Sequence, residues 1–179
     1  MHARHYGMIL SGILLLCAGH CSAQSPQRDA AGCRAFVQEF YDWYYNRSMD
    51  TPRAWYTAVE DRPQAFTPEL LRLLRRNAHV QEQKGAIQAF DMDPFLNSQD
   101  PEGRYDGQKA RVEGEQCSVA LQAASSVRPL LHWEQTHWAF ANFRYSFATD
   151  QKTGARYPDN DLLHMLYTSI RRPGQKKDH

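Results

Sequence analysis

Apolar residues recur at three- and four-residue steps in the first half of this chain and at two-residue steps in much of the second. Those periods separate helix from strand. Cys33, Phe36, Val37, Phe40, Tyr41 and Tyr44 share one broad face, widened by Trp43 and Tyr45, which predicts a helix over 33–46. A connector over 47–63 holds a short helical piece, capped at Thr51-Pro52, with Trp55, Tyr56 and Val59 as its apolar face. Thr67-Pro68-Glu69 reads as cap, first-turn proline and first-turn acid of a second long helix, which stops at Gly85. Leu70, Leu71, Leu74 and Ala78 form its predicted stripe, and Arg72, Arg75, Arg76 and His79 its solvated side. Ala110 and Val112 then alternate with charged residues, as do Cys117, Val119 and Leu121, which predicts a hairpin around Gly114-Glu115. A second pair, 127–133 and 137–145, turns at Glu134-Gln135-Thr136. Strict alternation puts Trp138, Phe140, Asn142 and Arg144 on one face of the last strand and Ala139, Ala141, Phe143 and Tyr145 on the other. Aromatics on both faces predict a central strand. Asp159, Asn160 or Asp161 caps a final helix with Leu162, Leu163, Leu166, Tyr167 and Ile170 on its apolar face. Helices followed by strands predict an α+β fold: an antiparallel sheet packed on N-terminal helices, with a C-terminal helix.

Between the two halves lies the densest run of chemically useful side chains, residues 91–101. Pro94 and Pro101 break any regular helix there. Phe95 and Leu96 are expected to pin this otherwise polar loop to the core. Asp91, Asp93, Asn97, Gln99 and Asp100 are then fixed oxygen ligands or hydrogen-bond acceptors. Several such oxygens on one loop suit a hard cation, but the spacing lacks the glycine and the closing glutamate of a helix-loop-helix calcium site. The favoured reading is structural: Asp and Asn side chains bind their own backbone in turns. No resident metal or cofactor is expected.

The ends of the chain set its expected compartment. His2, Arg4 and His5 precede a largely apolar stretch over 9–18, and Cys21-Ser22-Ala23 offers small residues for cleavage before Gln24. The apolar run is shorter than the about 20 residues of a membrane span. Residues 1–23 are therefore expected to be a signal peptide, 24–32 a flexible arm, 33–171 one domain and 172–179 a disordered tail. The expected location is the periplasm. Lipidation at Cys17 or Cys21 is the weaker alternative, because Leu16 and His20 stand where a small residue is wanted. Cys33 and Cys117 remain, and they are either one disulfide or two buried thiols, the bridge slightly favoured in an exported chain. A net charge of +1 without a basic stripe argues against nucleic acid.

Three pieces together carry a family resemblance: Phe40-Tyr41-Asp42-Trp43-Tyr44, the run from Asp93 to Asp100, and Trp138 followed by Asn142-Phe143-Arg144-Tyr145. The chain resembles, over most of 33–170, the exported bacterial family catalogued as domain of unknown function 3828. The resemblance implies a cone similar to nuclear transport factor 2, with helices in the concavity of a curved sheet, and no established activity. The stretch from His132-Trp133 to His137-Trp138 departs from it in being rich in imidazole and indole.

Three roles follow. The first is a non-catalytic module of the bacterial envelope that binds a protein or small ligand, such as an immunity-type protein. The chain has no phosphate loop, nucleophile elbow or zinc-spaced His/Cys cluster. The second is an enzyme with Asp93 or Asp100 as base, His137 as proton carrier and Tyr41 or Tyr45 as hydroxyl donor. The third is assembly as a homodimer. The candidate functional surface joins Tyr41, Tyr45, Asp91, Asp93, Asn97, Gln99, Asp100, His137, Trp138 and Asn142.

Overall fold

Asp29 accepts a hydrogen bond from the Gly32 backbone N–H at 2.7 Å and caps the first helix, α1 (Ala30–Asp50). That cap starts the helix three residues ahead of Cys33, and regular turns carry it past Asn46 to Asp50. A computed structural model describes this and the other elements over residues 27–51, 53–84, 92–98, 103–122, 126–146 and 160–170. The predicted leader and the predicted tail lie outside them. α2 (Ala54–Asp61) and a 3₁₀ turn (Pro63–Ala65) lead into α3 (Pro68–Lys84). The buried stripe of α3 is Leu70, Leu73, Leu74 and Asn77, with Leu71 and Ala78 only half-buried. The stripe is therefore rotated from the predicted one, and Asn77 donates to Ser169 Oγ at 3.1 Å on the last helix. Arg72, Arg75, Arg76 and His79 are exposed as expected.

The strands β1 (Asp106–Glu113), β2 (Gln116–Gln122), β3 (Ser126–Glu134), β4 (His137–Ser146) and β5 (Asn160–Asp161) form one antiparallel sheet in sequence order. Gly114 (φ 62°) and Gln135 (φ 52°) take the left-handed conformation in the two hairpin turns. The strand β4 is interior, as expected, flanked by β3 and β5. It pairs with β3 along its length, but β5 reaches it only at Arg144 and Tyr145, and Thr67 N–H bonds the Phe140 carbonyl at 2.9 Å between them.

Strict alternation in β4 fails at one residue. Leu130 pairs with Asn142 and Leu131 with Phe140, so Ala141 is the extra residue of a bulge. The bulge returns Phe143 and Tyr145 to the core face of Trp138 and Phe140, and sends Asn142 and Arg144 to the opposite face. Phe140 and Phe143 then lie 5.0 Å apart between ring centroids. Apolar burial drove the correction, since an unbroken strand would have put Asn142 and Arg144 among the core aromatics.

Phe40 is the hub of that core. Its ring meets Tyr41, Tyr44, Phe66, Phe95 and Phe140 with centroids 4.7–5.9 Å apart. Cys33 of α1 and Cys117 of β2 form a disulfide inside the same core. The last helix, α4 (Leu162–Ile170), is capped by Asp161, whose Oδ1 accepts from His164 N–H at 2.9 Å. It buries Leu162 and Leu166. Tyr167, predicted on the apolar face, is exposed, and its hydroxyl donates to Glu69. No helix among the described residues is long and apolar enough to cross a membrane.

Candidate functional site

The turn over residues 92–98 is built around Asp93. Its backbone N–H bonds the Ser98 carbonyl at 3.0 Å, and its carbonyl accepts from Asn97 N–H at 2.8 Å. Asn97 closes the turn with a left-handed φ of 52°, a conformation asparagine tolerates. Oδ1 of Asp93 accepts from the Phe95 and Leu96 N–H groups at 2.8 and 3.2 Å. Phe95 and Leu96 are completely buried, so they pin the loop as their apolarity predicts. Their burial drags the loop carbonyls out of water, and buried carbonyls need donors.

Tyrosine hydroxyls supply them. Tyr145 donates to the Pro94 carbonyl at 2.6 Å, Tyr41 to Phe95 at 2.8 Å and Tyr105 to Leu96 at 3.1 Å. Tyr44 donates to Oδ2 of Asp93. Four phenols thus hold four consecutive residues of the loop. Tyr41 and Tyr44 are three apart on α1 and point the same way; Tyr145 arrives from β4 only because of the bulge. The Asp93 residue is half-buried overall, but its carboxyl is enclosed. Burial raises the Asp93 pKa to about 6, against the pull of the Tyr44, Phe95 and Leu96 hydrogen bonds. Burial also holds Tyr41, Tyr44 and Tyr145 well above the ordinary phenol value of 10.0, with the Asp93 charge adding to it.

A pH prediction follows. Raised phenol pKa values mean that the unfolded chain ionises first as pH passes about 10, so stability present below that pH is lost above it. Tyrosinate absorbance from these three residues is expected to appear in one step with loss of helical circular dichroism. Their ionisation while the helical signal persists would contradict it.

The structure separates His137 and Trp138 from this knot. His137 and Trp138 begin β4, while Tyr145 lies eight residues further along, on the order of 25 Å for an extended strand. His137 Nε2 lies 3.1 Å from the Gln64 carbonyl, and the Trp138 indole donates to the Gln27 carbonyl at 2.9 Å. Tyr45 is half-buried beside Tyr105, with ring centroids 6.5 Å apart. Asn97 Oδ1 is buried without a partner among the described residues. Asp91, Gln99 and Asp100 lie outside those residues. Asn142 is a tether: its Oδ1 accepts from Phe143 and Leu163 N–H groups at 2.8 and 3.0 Å, and its Nδ2 donates to Asp161 Oδ1 at 3.0 Å. It ties the start of α4 to β4.

Asn142 also lines a groove of about 850 Å³ on the sheet face opposite α1. Ser118, Arg128, Leu130, His132 and Arg144 share that face, and the first turns of α3 and α4 rim it through Thr67, Glu69 and Leu163. His132 Nδ1 lies 3.2 Å from Glu134, and Arg111 pairs with Glu113 at 2.7 Å. Sequence reasoning missed this groove because Arg144 seemed to belong to the Trp138 face. It also missed Tyr105, whose position before β1 carries no periodic signal. Among the described residues no cluster of three His, Cys, Asp or Glu side chains converges as a metal site. Comparison of the chain with protein-family models, characterised proteins and solved structures finds no match.

Proposed function

We propose that this chain is a non-catalytic binding domain, exported to the bacterial envelope, that holds a small ligand in the groove on the outer face of its sheet. One observation carries the reading: the open groove and the buried acid–phenol chemistry occupy different places. The groove is wide enough for a ligand, since small-molecule sites span roughly 300–1,000 Å³ and this one measures about 850 Å³. Its lining mixes charged, polar and apolar side chains, and although His132 contacts Glu134 there, no hydroxyl hydrogen-bonds His132 among the described residues. The acid–base groups expected from the sequence are engaged elsewhere. Asp93 accepts from Tyr44, Phe95 and Leu96, Tyr41 donates to a loop carbonyl, and His137 contacts Gln64 near the far end of β4. A general base must reach its substrate within hydrogen-bond distance. The apolar stretch and small-residue site before Gln24 support export, and the resemblance to the exported family rests on its sequence motifs.

Native mass spectrometry of protein taken gently from a periplasmic fraction tests both parts. The expected spectrum shows a chain beginning at Gln24 with an added ligand mass that disappears on mild activation. A chain that stays bare after incubation with envelope extract would overturn the binding reading. A chain that keeps residues 1–23 would overturn cleavage at that site.

A further inference from the structure

Arg128 of β3 and Arg144 of β4 are direct cross-strand partners, both exposed on the groove side of the sheet. Side chains paired in this way start about 5 Å apart, and like charges so placed oppose the pairing of the strands. Each other arginine of the groove or its rim has a use. Arg111 pairs with Glu113. The Arg128 and Arg144 side chains form no ion pair or hydrogen bond among the described residues. The acidic side chains of the groove are engaged: Glu69 accepts from Tyr167, Glu113 from Arg111, and Glu134 contacts His132. The next pair along the same face is Leu130 with Asn142. Leu130, Ala141 and Leu163 are half-buried there and give the groove an apolar floor.

We infer that Arg128 and Arg144 together bind the carboxylate of a small ligand whose apolar body lies on Leu130 and Leu163. This rests on the groove being the ligand site. Two guanidinium forks meeting one carboxylate supply more donors than it has oxygens, and the shared anion removes the repulsion between them. The apolar floor displaces water beside the ion pair and strengthens it. The glutamates of the groove disfavour a multiply charged ligand. Three arginines (Arg111, Arg128, Arg144) and three glutamates (Glu69, Glu113, Glu134) line the groove. A dianion or polyanion would meet those glutamates after the arginines were satisfied, whereas a carboxylate with an uncharged tail would not.

The probes are hexanoate, acetate, hexanol and hexyl phosphate, each titrated into full-length mature protein at constant ionic strength and followed by backbone amide NMR shifts. Hexanoate is expected to bind saturably, with shifts centred on Arg128, Leu130, Asn142 and Arg144, and more tightly than the other three. R128Q and R144Q are each expected to weaken hexanoate by about tenfold, and R53Q, outside the groove, to leave it unchanged. Without ligand, R128Q is expected to melt no lower than the wild type, because a like-charge pair has been removed. Hexanoate should then raise the melting temperature of the wild type and not of R128Q. Absence of saturable shifts, shifts centred elsewhere, or unchanged affinity in both variants would overturn the inference. Equal or tighter binding of hexyl phosphate would overturn the carboxylate assignment. The broader reading fails separately: a wild-type chain that carries no envelope ligand mass overturns it, whereas R128Q/R144Q protein that still carries the wild-type ligand mass overturns only the arginine assignment.

Discussion

Replacing Cys33 and Cys117 with alanine is expected to lower the free energy of unfolding by about 4–5 kcal/mol. The disulfide spans a sequence separation of 84 residues and joins α1 to β2. Closing so long a loop removes many conformations from the unfolded chain, which is the main source of that figure in the chain-entropy treatment. The loss is large against the roughly 5–15 kcal/mol that holds a typical domain together. It is also placed where local packing offers little substitute. α1 belongs to the first half of the chain and the sheet to the second, so the bridge holds together two parts that meet only through tertiary contacts. Cys33 and Cys117 are 0 % and 3 % exposed, so reductant reaches them only when the structure opens. Urea unfolding of the oxidised protein and the double-alanine variant measures the difference. A loss below about 1 kcal/mol would show that the bridge adds little beyond the packing of the helix on the sheet.

The second large effect belongs to Asp93. Asp93→Ala is expected to cost about 3–5 kcal/mol, because it leaves the Phe95 and Leu96 N–H groups and the Tyr44 hydroxyl buried without an acceptor. Asp93→Asn keeps a carbonyl oxygen for the two N–H groups and removes a carboxylate that is costly to bury. It is expected to equal or exceed the wild type at pH 7. The two variants should also differ from the wild type in pH dependence. The folded pKa of about 6 lies above the ordinary 3.8. Below 3.8 the carboxyl is protonated in both states and its contribution to stability is fully present. Between 3.8 and about 6 the unfolded chain releases the proton while the folded chain keeps it, so stability falls as pH rises. The fall totals about 3 kcal/mol and levels off above pH 6. Neither variant should show that component. Denaturant unfolding at several pH values, wild type against both variants, tests it. Equal damage from Asn and Ala would mean that the knot requires the ionised carboxylate.

The tyrosine knot and the groove differ in how far they could be read from sequence. Asp93 as a turn-former and Phe95 with Leu96 as anchors were legible, because prolines and short polar side chains act on their own backbone within a few residues. The buried face of α1 was legible for the same reason: its period is local. The donors to the loop were not. Tyr41 and Tyr44 come from α1, Tyr105 precedes β1 and Tyr145 ends β4, and nothing in their spacing says that they converge. Asn142 was legible as a polar residue of the last strand, but that it grips the start of α4 depends on the return of the chain after β4.

Local periodicity and turn chemistry by themselves determined the α+β order, the two hairpins, the helix cap at Thr67, a last cap somewhere in 159–161, and the apolar anchors of the central loop. These depend on interactions among residues near one another in the chain, which is what a sequence displays directly. Tertiary structure alone decided the bulge at Ala141, the rotation of the α3 stripe and the opposition of Arg128 to Arg144. The bulge arises where burying more aromatics outweighs regular local geometry. A one-residue offset in a strand exchanges its two faces, so a single bulge moved Tyr145 into the knot and Arg144 into the groove.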